Sequence, residues 1–105
     1  IEKYEKDKFC TFKFTLSAML DLMKLLSLCN RKEWFENINK TLPILLISGD
    51  KDPVGNYGEG VKKVYETLKE NGADVNLKLY PDCRHEIHND SCKEEMFRDI
   101  LEFIK

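Results

Sequence analysis

No apolar run in this sequence is long enough to span a bilayer. The nearest candidate, residues 16–28, is broken by Asp21 and Lys24, so no integral membrane segment is expected. The first eight residues alternate charges and lack an apolar h-region, so no secretory signal is expected either. Ile1 stands where an initiator Met would, which reads as a fragment or a processed chain. Neither sign of charge dominates: 17 Lys and Arg face 19 Asp and Glu, a formal net charge of −2. There is no basic patch with interleaved aromatics, which excludes nucleic acid as the expected partner. Internal repeats and low-complexity segments are absent. The four cysteines, Cys10, Cys29, Cys83 and Cys92, have wide, irregular spacing. Without a secretory signal that pattern predicts reduced thiols in a cytoplasmic protein rather than a disulfide framework.

What remains is a soluble composition, 42% hydrophobic and 34% charged over 105 residues. It argues against disorder and allows one small domain with a modest core. A chain of this size buries roughly 60–70% of its unfolded surface. The character of the sequence changes near Thr41–Pro43, so residues 1–41 and 42–105 are read as two parts.

Residues 1–41 are helical in character. Thr15 or Ser17 can cap a helix running to about Cys29, with Leu16, Met19, Leu20, Met23, Leu26 and Leu28 at helical spacing. Leu22 and Leu25 widen the stripe beyond one face, as in a helix covered on more than one side. Asn30 is the expected stop. A second helix is predicted over residues 32–38. The aromatic stretch Phe9, Phe12 and Phe14 reads as a loop that packs on something larger.

Residues 42–105 read as βαβα. Ile44-Leu-Leu-Ile47 is a continuous apolar run, the signature of a strand buried on both faces of a parallel sheet. A helix is predicted over 58–70, with Val61, Val64, Tyr65 and Leu68 on one face and a stop at Asn71-Gly72. Val75-Asn-Leu-Lys-Leu-Tyr80 alternates like a half-buried strand. A last helix begins near Ser91, where Ser91 and Glu94 have capping-box spacing. Met96, Phe97, Ile100, Leu101 and Ile104 give it an apolar stripe. Two strands joined by a helix imply a right-handed parallel crossover. The loops after both strands then share one edge of the sheet, the edge where open α/β sheets bind ligands.

Those two loops hold the chemistry. The first is Gly49-Asp-Lys-Asp-Pro-Val-Gly55, the second Pro81-Asp-Cys-Arg-His-Glu-Ile-His88. A carboxylate on one strand end can hold the Nδ1–H of an imidazole on the next, leaving Nε2 to take a proton from a nucleophile. Asp52 and His85 are the candidate acid and base. Asp50 lies nearer the strand end and is read as a loop brace. His88 is read as a surface residue, and Arg84 with Glu86 as a local ion pair. Asp-Pro is also ordinary turn chemistry. Cys83, His85, His88 and Cys92 are zinc-competent, but they lack the separated ligand pairs of structural zinc sites, so no metal is expected. Gly55, Gly58 and Gly60 lack the Lys-Ser/Thr of a phosphate loop and read as a flexible entry into the helix.

The run Leu42-Pro-Ile-Leu-Leu-Ile-Ser-Gly-Asp-Lys-Asp-Pro-Val-Gly55, with Tyr57-Gly-Glu-Gly-Val61 and Arg84-His-Glu86, resembles the monoacylglycerol-lipase/lysophospholipase branch of the α/β-hydrolases. The resemblance implies that residues 42–105 are the C-terminal βαβα portion of an α/β-hydrolase parallel sheet. It implies that the helices before them end a cap over the acyl pocket. It makes Asp52 the triad acid and His85 the triad base, with no cofactor. The family's nucleophile stands in Gly-x-Ser-x-Gly, upstream of the acid. None of Ser17, Ser27, Ser48 or Ser91 occupies that motif. The nucleophile and most of the sheet are thus expected outside these 105 residues, in a missing N-terminal hydrolase segment. These residues alone are expected not to hydrolyse esters. A lipid or other carboxylic ester is the implied substrate of the complete enzyme. An alternative expectation is a non-catalytic module that forms a homo-oligomer through its exposed sheet edge.

Overall fold

The computed structural model describes residues 2–105. They divide into two compact units, one ending at Trp34 and the other spanning Phe35–Lys105. The division falls earlier than the change of sequence character at 41/42.

The first unit opens with a single turn, α1 (Glu2–Glu5). The Asp7 carboxylate then accepts the Phe9 N–H at 2.9 Å, and the Thr11 hydroxyl donates to the Asp7 carbonyl. Such side-chain bonds compete with helix and turn the chain. The rings of Phe12 and Phe14 lie 5.2 Å apart, tilted by 59°. α2 (Leu16–Cys29) begins where expected, because the Thr15 hydroxyl accepts the Ala18 N–H at 3.1 Å and satisfies an orphan donor. Asn30 closes it by donating its side-chain amide to the Leu26 carbonyl. None of the α2 side chains is buried, and Leu16 is 91% exposed. The covering expected for its wide apolar stripe is therefore not provided by the described residues. α3 is shorter than expected, Lys32–Glu36. Beyond it Asn39 turns the chain, its side-chain oxygen accepting from both the N–H and the hydroxyl of Thr41.

The second unit has an α/β architecture with a two-stranded parallel sheet. β1 (Ile44–Gly49) pairs with β2 (Val75–Tyr80) in the register Ile44↔Val75 through Gly49↔Tyr80. α4 (Glu59–Glu70) connects them and buries Leu68 against the sheet. Burying a leucine of this kind stabilises by about 1.5–3 kcal/mol. Gly72, at φ 81°, releases the chain into β2. Strand periodicity sends Ile44, Leu46, Ser48, Val75, Leu77 and Leu79 to one face. Gly58, at the start of α4, lies against Leu79 on that face.

The other face is less open than the alternation in β2 predicts. α5 (Lys93–Ile104) covers its C-terminal end. Tyr80, Cys83, Ile87, Cys92 and Met96 form one buried cluster there, with Ile47 and Ile100 packed against it. Lys78 is not simply solvated. Its ammonium lies 2.7 Å from both Glu95 and Asp99 of α5. The Tyr80 hydroxyl donates to the same Asp99 carboxylate at 2.7 Å.

Two local expectations are corrected. The capping box of Ser91 and Glu94 does not form. α5 starts at Lys93 with no side-chain cap, after a 3₁₀ turn at Ile87–Asn89. Ser91 is instead held by Asp90, whose carboxylate accepts its N–H at 2.8 Å. The glycine-containing entry to α4 is not a loose segment. Asn56, Tyr57 and Gly58 are all left-handed, and the Tyr57 N–H bonds back to the Asp52 carbonyl at 2.8 Å. Each left-handed non-glycine residue costs about 1–2 kcal/mol, so the surrounding bonds must hold this conformation.

Candidate functional site

The two loops that follow β1 and β2 meet at the carboxyl edge of the sheet, backbone against backbone. Gly49 permits this. A Cβ there would lie 2.1 Å from the Cys83 carbonyl oxygen and 2.5 Å from that of Arg84. No side chain fits such an approach. The ladder runs past the strand ends: the Asp50 N–H donates to the Tyr80 carbonyl at 3.0 Å, and the Lys51 N–H to the Cys83 carbonyl at 2.9 Å. Asp50 braces the loops as expected, its carboxylate accepting the Asp82 N–H at 2.8 Å. Asp82 is left-handed at φ 58°, which turns the second loop back toward the first.

Asp52 follows two residues later and is buried, 7% exposed. Its Oδ1 accepts the Val54 N–H at 2.9 Å and its Oδ2 lies 3.0 Å from His85 Nδ1. Burial alone would raise the Asp52 pKa. The His85 hydrogen bond, the Val54 and Gly55 N–H groups and the charge of His85 outweigh it, so the carboxyl lies below its ordinary value. His85 is pulled the other way: the hydrogen bond to Asp52, then its charge, raise the imidazole above its ordinary value. The His85 side chain is 65% exposed. With Nδ1 turned to Asp52, the Nε2 of the neutral ring is the nitrogen left to accept a proton.

The loop carrying His85 is closed by a residue that sequence reasoning passed over. Asp90 accepts the Arg84 N–H on one oxygen and the Ser91 N–H on the other, both at 2.8 Å. The Arg84 bond is the main reason its pKa is lowered. The one available signal was an Asp at the end of a loop, where such residues bond nearby backbone. Ile87 anchors the loop in the buried cluster. Glu86 accepts from the Asn89 side chain at 2.9 Å, so its partner is not the Arg84 expected from sequence. His88 is exposed, as expected. A cavity of about 620 Å³ opens beside His85, lined by Lys51, Pro53, Tyr57, Asp82, Arg84 and His85.

The serines lie elsewhere. Ser48 is buried in β1 and donates to the Gly49 carbonyl at 3.3 Å. Ser91 lies 3.6 Å from the Cys83 sulfur. Among the described residues no serine hydroxyl hydrogen-bonds His85. Cys83 and Cys92 are buried in the core cluster while His88 is exposed, and no three His, Cys, Asp or Glu side chains converge as metal ligands among the described residues. No described helix is long and apolar enough to cross a membrane.

The chain has known relatives. A family model described as serine aminopeptidase, S33, matches residues 1–92. A solved structure of a highly thermostable carboxyl esterase from Bacillus coagulans, in complex with glycerol, is 37% identical with a TM-score of 0.88. The match covers 95% of this chain and 33% of that one. A lipase in an open form is 31% identical with a TM-score of 0.84, over 94% of this chain and 33% of its own. This chain thus spans about a third of the length of both. No curated protein matches it.

Proposed function

The chain belongs to the serine aminopeptidase family of α/β-hydrolases, and on that premise we propose that it supplies the acid and base of a serine-hydrolase triad. Asp52 orients His85 and makes its imidazole more basic, and His85 acts as general base and then general acid. The nucleophile is a serine outside these 105 residues. When that serine attacks an ester carbonyl, its proton passes to Nε2 of His85. Asp52 keeps the tautomer and stabilises the imidazolium. The same proton then goes to the leaving alcohol, and a water repeats the cycle to free the acid. The substrate is a carboxylic ester of the monoacylglycerol or lysophospholipid kind, and the apolar, aromatic segment of residues 9–28 helps to cover its acyl chain. A cytoplasmic setting suits four cysteines that form no disulfide with one another.

The observation that carries this reading is the 3.0 Å contact between Asp52 and His85, made across 33 residues of sequence, with His85 lining a cavity. The esterase and lipase likenesses favour esters over the peptides that the family description suggests. The test supplies the upstream hydrolase segment and measures p-nitrophenyl ester hydrolysis, aminoacyl-anilide hydrolysis and fluorophosphonate labelling. Ester turnover that needs both pieces and is lost in His85→Gln is the expected result. Labelling of a serine within these 105 residues would refute the division of labour.

A second reading rests on a separate observation. The described sheet has two strands, so each has an unpaired outer edge, and such edges recruit further strands. In this reading the chain is a self-associating module without catalysis.

A further inference from the structure

Two of the four cysteines bracket the segment that carries His85. Cys83 begins it and Cys92 ends it, immediately before α5. Both are buried in the same cluster, Cys83 at 0% and Cys92 at 8% exposure. Around them the Ser91 hydroxyl lies 3.6 Å from the Cys83 sulfur, and the Cys92 thiol donates to the Ile87 carbonyl at 3.7 Å. Both cysteines are free thiols in this structure.

A buried cysteine by itself behaves as a small apolar residue. A pair that shares one buried cluster is different, because a sulfur oxidised there has a second thiol in the same packed region. We propose that Cys83 and Cys92 form a disulfide on oxidation, a covalent staple joining the two ends of the segment that carries His85. The pairing is independent of the chemistry assigned to His85. A peroxide is the oxidant. One thiolate sulfur attacks a peroxide oxygen, the O–O bond breaks, and a sulfenic acid and hydroxide form. The second sulfur attacks the sulfenic sulfur, the S–S bond forms, and hydroxide leaves. The two thiol protons end in water. One peroxide and two thiols give one disulfide and two waters, the sulfurs together losing two electrons.

Burial, and then the Cys83 thiol, push the Cys92 pKa up. Little Cys92 thiolate exists while the segment is closed, so the step in which its sulfur attacks waits on opening. Once formed, the link restricts that opening.

The test treats the full chain with hydrogen peroxide, blocks remaining thiols with N-ethylmaleimide, and digests it with trypsin without reductant. Cleavage after Lys78, Arg84 and Lys93 places Cys83 on residues 79–84 and Cys92 on residues 85–93. The expected product is that peptide pair joined, two hydrogens lighter than the sum and separated by dithiothreitol. It forms in preference to any link with Cys10 or Cys29. Oxidation also slows cleavage after Arg84 in the native protein several-fold, and Cys92→Ser abolishes both effects. Recovery of Cys83 and Cys92 as separately blocked thiols or separate sulfinic acids, or linked to Cys10 or Cys29, overturns the proposal.

Discussion

At the scale of single residues, Asp52 is a site of opposed forces. Burial works against its charge while two backbone N–H groups and His85 work for it, and the charge wins. The neutral amide of Asp52→Asn would keep the shape and remove the ion. The His85 pKa, followed by NMR, is then expected to fall toward its ordinary 6.5. With the upstream segment supplied, ester turnover is expected to drop by roughly 10³–10⁴-fold, as when a triad acid is lost elsewhere. The pair also sets a pH window. His85 has a raised folded pKa, so its contribution is fully present below 6.5 and is lost as pH rises through the folded value. Asp52 has a lowered one, so its contribution is present above 3.8 and is lost as pH falls through the folded value. The Tm difference between wild type and His85→Gln is expected to be largest between these limits and to shrink on either side. Gly49→Ala forces a Cβ against the Cys83 carbonyl. Overpacking of this kind costs about 1–3 kcal/mol, readable by urea denaturation. Because the loops must part, His85 should also titrate nearer its ordinary value.

At the scale of elements, α5 is held to β2 by an apolar cluster and a polar clamp that share Tyr80. Its ring is fully buried and its hydroxyl reaches Asp99, which also holds Lys78. The Lys78 hydrogen bond is the main cause of the lowered Asp99 pKa. Burial, and then Asp99, raise the pKa of Tyr80. Tyr80→Phe keeps the packing and deletes a bond to a charged group, and is expected to destabilise by about 1.5–3 kcal/mol, measured as a shift in denaturation midpoint at constant m. The elements were largely legible in sequence. Ile44 to Ile47 is a plain apolar run, β2 alternates, and Thr15 caps α2 as its hydroxyl suggests. Ser91 and Glu94 misled because a local pattern cannot show that Asp90 has already claimed the Ser91 N–H. The polar face of β2 misled because the partners of Lys78 lie on α5, 17 residues away for Glu95. The pairing of Asp52 with His85 could be anticipated from two loops on one sheet edge. The part played by Gly49 could not, since only the folded approach of residues 83 and 84 gives it meaning.

At the scale of the whole molecule, much apolar surface is left uncovered. Leu16 and Met23 of α2, and Phe97, Leu101 and Ile104 of α5, are all exposed. Where such side chains cluster on one element, they mark surfaces that are covered in use. Membership of the family, and a match to only a third of the two solved relatives, suit covering by further hydrolase structure. The self-association reading makes the opposite demand. By light scattering after size exclusion, the chain with its upstream segment supplied is expected to elute as a one-to-one complex. A homo-oligomer of this chain that persists in the presence of that segment would favour strand pairing between copies instead.

The backbone approach at Gly49 also bears on the order in which the molecule assembles. Asp52 and His85 belong to loops whose strands pair only after α4 has closed a long connection, so their contact is non-local and its loop entropy is spent before the contact can form. A helix such as α4 can appear within about a microsecond. The imidazole shift cannot precede strand registration, because a slip of one residue would turn Gly49 away from Cys83. Proton uptake by His85 above pH 6.5, followed with an indicator dye in stopped flow, would therefore time the arrival of native register and give refolding a clock located at the site itself.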